Sequence, residues 1–449
     1  MSHPVMPTRI LIVGSGGREH ALAWKLGAEP GVNQVIVMPG RHAISAESRV
    51  RGLGGNMNNP QTVVDTARLF AVELVVIGPE APLATGVADA LTAAGFHVFG
   101  PTAAAARIET SKSFCREVAA SVGLPMAEGR TFEDRDRDAG RVYAARLAER
   151  GGVVIKADGL AAGKGVTVCD TADEAAEAIT TMQGRFVVEE RLSGREASVI
   201  AICDGRDAIA LPISRDHKRL SDGETGPNTG GMGAYSPLPD LPDEAADEIL
   251  DSFHRPVLAE LARRGSPFRG ALYAGLMLTD AGPRLLEFNA RLGDPETQVI
   301  LPRLAIPFGP LLLSAARGSL RDARSLLASP SHLPSVPDAV VGIVLAAAGY
   351  PIDPQPGARI TALDDDGQLP DAPGVHVFHS GTFHETPGVF LATGGRVVTV
   401  VGRGRDLASA RAVAEGAADR IGWPGHQRRH DIGVEPSIPS RAAPAGASR

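Results

Sequence analysis

Cysteine is scarce in this chain, and the few present do not cluster. Cys115, Cys169 and Cys203 are odd in number and widely spaced, with no CxxC pair or Cys/His group. A disulfide framework and a zinc site are both disfavoured, and buried reduced thiols are expected. Net positive charge is also lacking. A net charge of −7 gives no basic footprint for nucleic acid and no polybasic patch for a membrane surface. Long apolar runs are missing too. The longest, Ala339 to Ala348, is far too short to span a bilayer, and Met1 to Thr8 has no apolar core of a signal peptide. No internal repeat is visible. What is left is a cytoplasmic enzyme acting on small molecules, with no nucleic-acid or membrane partner and a monomer as the expected form.

The length of 449 residues, with 43% hydrophobic and 22% charged residues, suits two or three compact soluble units. Gly 52 and Pro 34 point to many tight connections. Arg9–Val13, Val35–Met38, Leu74–Ile77 and His97–Phe99 read as buried parallel strands, with helices at Glu19–Gly27, Thr62–Phe70 and Gly86–Ala94. That alternation predicts a doubly wound sheet, whose ligands sit beyond the strand ends. A helix is expected from about Arg107 to Gly123.

The middle reads as antiparallel α+β. Val153–Lys156 and Val166–Cys169 form one expected hairpin. Phe186–Glu189, Ala197–Cys203 and Ala208–Ile213 continue the strand pattern, and Leu272–Thr279 and Arg284–Phe288 join at Asp280-Ala-Gly-Pro283. Ala328 to Asp338 reads as a linker. Beyond it come strands at Val340–Ala346 and His376–Phe383, a hairpin around Thr393-Gly-Gly395, and a helix from Asp406 to about Arg420. The tail from Pro436 is expected to be disordered.

Two distant segments carry the strongest chemistry. Val154 to Val166 is a strand ending in Lys156 and opening into a glycine-rich loop that can close over phosphate oxygens through Gly159, Gly163 and Gly165. An unpaired ammonium in so apolar a strand would be costly, which argues for function at Lys156. In Leu286 to Glu296, Glu287 and Asn289 alternate across Phe288 and so share a strand face. Two hard oxygen ligands completed by phosphates and water are a usual way to hold Mg²⁺. Arg291 then stands where it can steady a transferring phosphoryl group, and Asp294 and Glu296 could receive a substrate ammonium. Together the segments describe activation of a carboxylate by ATP.

Weaker signals surround these. Gly14-Ser-Gly-Gly-Arg-Glu19 follows a strand and opens a helix, so its N–H groups could hold a phosphate. A dinucleotide fingerprint would need glycine where Glu19 stands. Lys112 is a second candidate phosphate contact, with a solvated surface lysine as the alternative. The turn from Glu189 to Glu196 can offer backbone groups to adenine, with Glu196 accepting from ribose hydroxyls. Asp216-His-Lys-Arg219 and Gly226 to Gly233 read as a long polar loop of functional kind, in which His217 is more readily a hydrogen-bonding group than a base.

In this order the motifs resemble the phosphoribosylamine–glycine ligase family of the ATP-grasp superfamily, from Ile10 to about Gly433. The resemblance rests on Gly14 to Leu22, Gly78-Pro-Glu-Ala-Pro-Leu83, Lys156 to Val166, Asp216 to Arg219, Gly226 to Pro237, Leu286 to Gln298 and Asp431-Ile-Gly433. It implies an α/β and α+β multidomain ATP-grasp fold, with an amino-terminal doubly wound parallel-sheet domain and a small carboxy-terminal domain. The expected division is 1–106 for amine-substrate binding, 107–328 for ATP-grasp with a lid at about 126–192, and 329–435, then a tail at 436–449.

The implied reaction joins glycine to 5-phosphoribosylamine through glycyl phosphate, with ATP as co-substrate and Mg²⁺ or Mn²⁺ as cofactor. Carried over by position, Lys112, Lys156, Gly163, Lys164 and Gly165 would meet phosphates, Glu189, Glu190 and Leu192 adenine, and Glu196 ribose. Glu287 and Asn289 would bind metal. Arg291, Asp294 and Lys156 would serve catalysis. Gly14, Gly16, Gly17, Glu80, Asp216, His217, Lys218, Arg219 and Asp294 would bind substrates. Pro39-Gly-Arg-His-Ala43, Arg215, Ala290 and Leu292 depart from the family pattern, and Thr181 to Phe186 is shorter than usual. These departures spare the nucleotide and metal positions. A paralogous ligase for another amino acid or amine is the alternative, and a non-catalytic nucleotide-binding module a third reading.

Overall fold

The structure is a computed structural model and describes residues 5–40, 49–160, 165–326 and 332–435. Gly163, Lys164, the Arg41–His42 departure and the tail from 436 lie outside these residues.

The amino-terminal sheet is parallel throughout, in the order Val50–Gly52, Gln34–Met38, Arg9–Val13, Leu74–Ile77, Val98–Phe99. Its strands read as unbroken apolar runs because both faces are covered. Ile10 and Ile12 pack into one core with Val35 and Val37, while Leu11 and Val13 pack into another with Ile36 and Met38. Each such side chain contributes about 1.5–3 kcal/mol on burial. The one strand the sequence pattern does not suggest, Val50–Gly52, is a half-exposed edge of three residues.

The expected helix from Arg107 to Gly123 is two helices, Ala103–Thr110 and Lys112–Ser121. Ser111 is extended (φ −139°, ψ 111°) and accepts the Phe114 N–H, so it ends one helix and caps the next. The apolar spacing carries across the break, which hides it from a periodicity argument. Beyond it stands a four-stranded antiparallel sheet in the order Gly129–Phe132, Phe186–Glu190, Val153–Ala157, Val166–Cys169. Tyr143, Leu147, Ile179 and Phe186 give it a small core of its own.

A second antiparallel sheet runs Ala208–Ala210, Arg195–Asp204, Arg269–Thr279, Gly282–Asn289, and Asp280–Ala281 turns its last hairpin. The long polar loop expected after Arg215 is instead ordered. Arg219–Ser221 pairs with Thr225–Asn228. Arg215–Asp216 and Gly233–Ser236 join Ala339–Ala346, Arg396–Gly404 and Val375–His379 in a five-stranded sheet. Glycines that suggest a loop here serve close packing: a Cβ on Gly233 would meet the Gly342 carbonyl at 2.6 Å.

Two further expectations are corrected in the carboxy-terminal region. His376–Phe383 is divided between Val375–His379 and Thr382–Thr386, which belong to different sheets. Thr393-Gly-Gly395 does not close a hairpin, since Val389–Ala392 pairs with Thr382–Thr386 while Arg396–Gly404 pairs with Ala339–Ala346 and Val375–His379. The helix Leu407–Ala418 follows, capped by Asp406. No described helix is long and apolar enough to cross a membrane.

Candidate active site

Lys156 sits in the strand Val153–Ala157 directly across from Val187. Glu189 is two residues on from Val187 and therefore shares its face. The pairing brings Lys156 Nζ to 2.6 Å from Glu189 Oε2, and Arg116 Nη1 lies 2.6 Å from the other carboxylate oxygen. Burial works against the Glu189 charge, yet Lys156 and Arg116 outweigh it and hold the group below the usual carboxylate range. Lys156 also donates to the Leu286 carbonyl at 3.0 Å. The ammonium is thus paired, by a residue the sequence assigns to an adenine pocket. Glu190 ends an inner strand of its sheet, opposite Val153, its backbone N–H meeting the Glu128 carbonyl at 2.8 Å.

Lys112 is the first residue of its helix, and its Nζ lies 2.6 Å from Glu287 Oε2. Asp158, just past Lys156, accepts from the Ser111 and Ser113 hydroxyls at 3.0 and 2.5 Å. This ties the glycine-rich loop to the same helix start. Glu287 and Asn289 share a face as expected, while Phe288 between them is buried in the core. Burial disfavours the Glu287 charge, but Lys112, Lys218 and Lys156 together hold it far below the ordinary range. Among the described residues, no group of three His, Cys, Asp or Glu side chains could hold a metal. The ionised Glu287 and the Asn289 oxygen fit a hard divalent cation whose other ligands are phosphate and water oxygens.

Arg291 lies between carboxylates: Glu109 at 3.1 Å and Glu80 at 3.5 Å. Burial opposes the Glu80 charge, but Arg291 and Arg18 keep its pKa lowered. Asp294 accepts from Gln298 at 2.7 Å and lies 3.3 Å from Arg396. Arg396 also donates to the Gly230 and Asp294 carbonyls, each at 2.6 Å.

The glycine turn differs from expectation. The Gly14 N–H donates to the Met38 carbonyl at 2.8 Å. The Gly16 N–H donates to Glu19 at 2.6 Å, and the Gly17 N–H to the Ser380 hydroxyl at 3.0 Å. Glu19 therefore caps its own helix, which explains a carboxylate where a dinucleotide site has glycine. A Cβ on Gly78 would lie 1.9 Å from Glu19 Oε1, so only glycine fits beside it.

The Asp216 segment divides by strand alternation. Lys218 points inward to Glu196 at 2.8 Å. Asp216 faces the same cluster, where burial raises its pKa, Lys218 opposes that and Glu296 and Glu196 add to it. Glu196 thus holds a lysine where a ribose contact is expected. His217 faces the other way, its Nδ1 2.7 Å from Glu224. Arg429, wholly buried, reaches Glu224 Oε1 and both oxygens of Asp431 at 2.7 Å, and donates to the Arg219 carbonyl at 3.1 Å. His217 and Arg219 accordingly belong to a brace rather than to the lysine cluster. Leu192, two residues past the strand Phe186–Glu190, is half-buried, and the Gly165 carbonyl accepts the Ala157 N–H at 2.7 Å.

The structure therefore unites Lys112, Lys156, Lys218, Glu287, Asn289 and Arg291. Glu109, Arg116, Asp158, Ser380 and Arg396 join them without a local sequence signal.

Family models describe three consecutive parts of the chain. The N domain of phosphoribosylglycinamide synthetase matches residues 8–109, its ATP-grasp (A) domain 110–297 and its C domain 340–435. A curated relative from Rhodopirellula baltica, named phosphoribosylamine–glycine ligase, is 42% identical over 435 residues, covering 94% of this chain and 96% of the relative. The crystal structure of phosphoribosylamine–glycine ligase from Thermotoga maritima matches with a TM-score of 0.77 at 31% identity, covering 94% of this chain and 99% of that one. The biotin carboxylase domain of Hydrogenobacter thermophilus 2-oxoglutarate carboxylase matches with a TM-score of 0.68 at 16% identity, covering 94% and 92% of the two chains. That likeness concerns the fold alone.

Proposed function

The chain belongs to the phosphoribosylglycinamide synthetase family, and from that premise we propose how its residues divide the work. Its fold is ATP-grasp, and its reaction is the ATP-dependent ligation of glycine to 5-phosphoribosylamine, which gives glycinamide ribonucleotide in purine biosynthesis. The observation that carries the assignment of roles is the convergence of Lys112, Lys156 and Lys218 on the ionised Glu287. Lys112 is paired with Glu287, Lys156 with Glu189 and Lys218 with Glu196, and the polyphosphate of ATP with its metal ion offers these paired groups oxygens and a cation to exchange into.

In this reading Lys112, Lys156, Gly163, Lys164 and Gly165 hold phosphates. Glu189 sets the Lys156 ammonium, while the backbone from Glu190 to Leu192 and the Glu196 carboxylate face adenosine. Glu287 and Asn289 hold Mg²⁺ or Mn²⁺, which when bound neutralises phosphate charge. Arg291 steadies the glycine carboxylate as its oxygen attacks the γ-phosphorus and ADP leaves. The amine of phosphoribosylamine then attacks the acyl carbon, the carbon–oxygen bond to phosphate breaks, and the amine loses a proton. Asp294, Glu80, Asp216 and the Gly14–Gly17 turn line the substrates' side. The rate comes from orientation and charge neutralisation, with no covalent enzyme intermediate.

We assign the amine substrate to residues 1–106, nucleotide chemistry to 107–328 with a lid at about 126–192, and completion of the cleft to 329–435. One chain supplies every residue named, so a monomer suffices. The three thiols are free and buried, as a reducing compartment keeps them, which supports action in the cytoplasm.

The test is ADP release with Mg·ATP, glycine and phosphoribosylamine formed in situ from ribose 5-phosphate and ammonia. The expected result is ADP that requires both substrates, with glycinamide ribonucleotide seen by mass. ADP formed only with another amino acid or amine would overturn the substrate assignment while leaving the phosphate and metal roles in place.

A further inference from the structure

Glu109 occupies an unfavourable place for a carboxylate. It lies in the last turn of the helix Ala103–Thr110, the end at which the helix dipole disfavours negative charge. It is only 5% exposed, and burial raises its pKa against the pull of Arg291. A buried carboxylate at such a position needs partners, and it has two from consecutive residues. Its Oε2 accepts the Ala290 N–H at 2.7 Å, and its Oε1 lies 3.1 Å from Arg291 Nη2. One side chain thus grips both the backbone and the guanidinium at the same point of the chain.

The other contacts of Arg291 are looser or leave a donor free. Asn289 Oδ1 is 3.4 Å away, Glu80 is 3.5 Å away, and the Leu292 carbonyl accepts from Nη1 at 3.2 Å. Arg291 Nε is buried and makes no hydrogen bond. The guanidinium is therefore held at short range by Glu109 and Leu292, while Nε only faces Glu80 Oε2 at 3.5 Å.

The break between the two helices accounts for the placement. In an unbroken helix, residues 109 and 112 would be neighbours on one face, about 5–6 Å apart. Glu287 and Ala290, which they grip, are separated by about 10 Å of extended chain. The extended Ser111 lets the two side chains reach these separate points, so one junction holds both ends of the segment from Glu287 to Arg291.

We propose that Glu109 is a positioning residue for the ligation, fixing the Arg291 guanidinium against the reacting carboxylate through the Ala290 N–H and the ion pair. The proposal rests on the role given to Arg291 above.

A double-mutant cycle on the full chain tests it, with Glu109→Gln, Arg291→Ala and the pair compared for kcat, KM for ATP, KM for glycine and thermal midpoint. Glu109→Gln is expected to lower kcat about 10²-fold, the usual effect of a misplaced catalytic group, with KM for ATP unchanged. Added to Arg291→Ala it should lower kcat no further, because both changes remove one interaction. If Arg291→Ala keeps wild-type turnover, the assignment of Arg291 falls and takes the proposal with it. If Arg291→Ala is crippled while Glu109→Gln is not, or if the two losses multiply in full, Arg291 stands and the proposal alone is overturned. Should Glu109→Gln fail to fold, Glu109→Asp keeps the charge and shortens the reach. A folded Asp variant with reduced kcat and unchanged KM for ATP supports positioning, and wild-type kcat overturns it.

Discussion

Arg429 and Glu224 meet at 2.7 Å across 205 positions of sequence, and Arg429 has no exposed surface. Glu224 has a left-handed backbone (φ 57°) at the tip of the hairpin that follows Lys218. Asp431 adds a bond from the Gly223 N–H at 2.9 Å. A segment near residue 430 therefore fixes the hairpin that follows Lys218.

Arg429→Lys keeps the charge but not the fork that binds Asp431 and Glu224 at once. A loss of about 1.5–3 kcal/mol is expected, as for losing hydrogen bonds to charged groups, since Lys retains a charge and Glu224 is largely exposed. Faster amide exchange should be confined first to residues 217–229. Exchange that quickens uniformly over the chain would contradict this brace.

His217 and Lys218 are adjacent yet face opposite sides. Lys218→Met is expected to reduce kcat about 10²–10³-fold, as when a charge-stabilising group is removed. His217→Gln should stay within about tenfold of wild type, since its side chain meets Glu224 and the Tyr235 ring rather than the lysine cluster. Steady-state ADP release separates the two, and an equal loss for both would return His217 to the site.

Glu189 has a lowered pKa in the fold. Its stabilising effect is therefore present above the unfolded value of 4.5 and is lost as pH falls through the lower folded value. Glu189→Gln leaves Lys156 and Arg116 without their counter-charge and should cost about 3–5 kcal/mol near neutral pH. Denaturant titrations at pH 7 and at pH 3 check the sign, and the gap between variant and wild type should narrow on acidification.

Glu287 and Lys112 lie 2.6 Å apart, so a cation at Glu287 shares its ligand with an ammonium. Glu287→Gln is expected to lower the affinity for Mn²⁺ in the presence of ADP, read by paramagnetic resonance, and to cut kcat about 10²–10³-fold. Lys112→Met should weaken ATP binding and leave Glu287 free for metal. Unchanged Mn²⁺ binding in Glu287→Gln would remove that residue from the metal site.

The parallel sheet was legible because its strands are apolar on both faces, and Ile10 and Leu11 go to different cores as period two requires. Lys156 was legible because a charge in an apolar strand demands a partner. Which partner was not, since Glu189 reaches it only through the register that sets Lys156 opposite Val187. The Glu287–Asn289 face followed from alternation alone. Alternation applied to Asp216–Lys218 would have turned His217 away, but the segment read as a loop because glycine and polar residues surround it. Glu109 carried no signal, since its meaning lies in Ala290 and Arg291, and Ser111 breaks the helix without disturbing the apolar spacing. Arg396 reaches Asp294 from the start of a strand whose partners the sequence did not reveal, and Ser380 reaches the Gly17 N–H from the bend between Val375–His379 and Thr382–Thr386.

The sheet shared by Arg215–Asp216, Gly233–Ser236 and Ala339–Ala346 also sets an order of assembly. Proteins leave the ribosome amino terminus first and fold by units. The parallel sheet and the strands bearing Lys156 and Glu287 can form early. The stretch with Lys218 can pair with Gly233–Ser236 and fold its own hairpin, but the sheet it belongs to is not completed until residues 339–346 emerge, and it has no brace until Arg429 follows. A nascent chain thus can set Lys112, Lys156 and Glu287 well before Lys218 is braced, and the cluster is completed only near the end of synthesis.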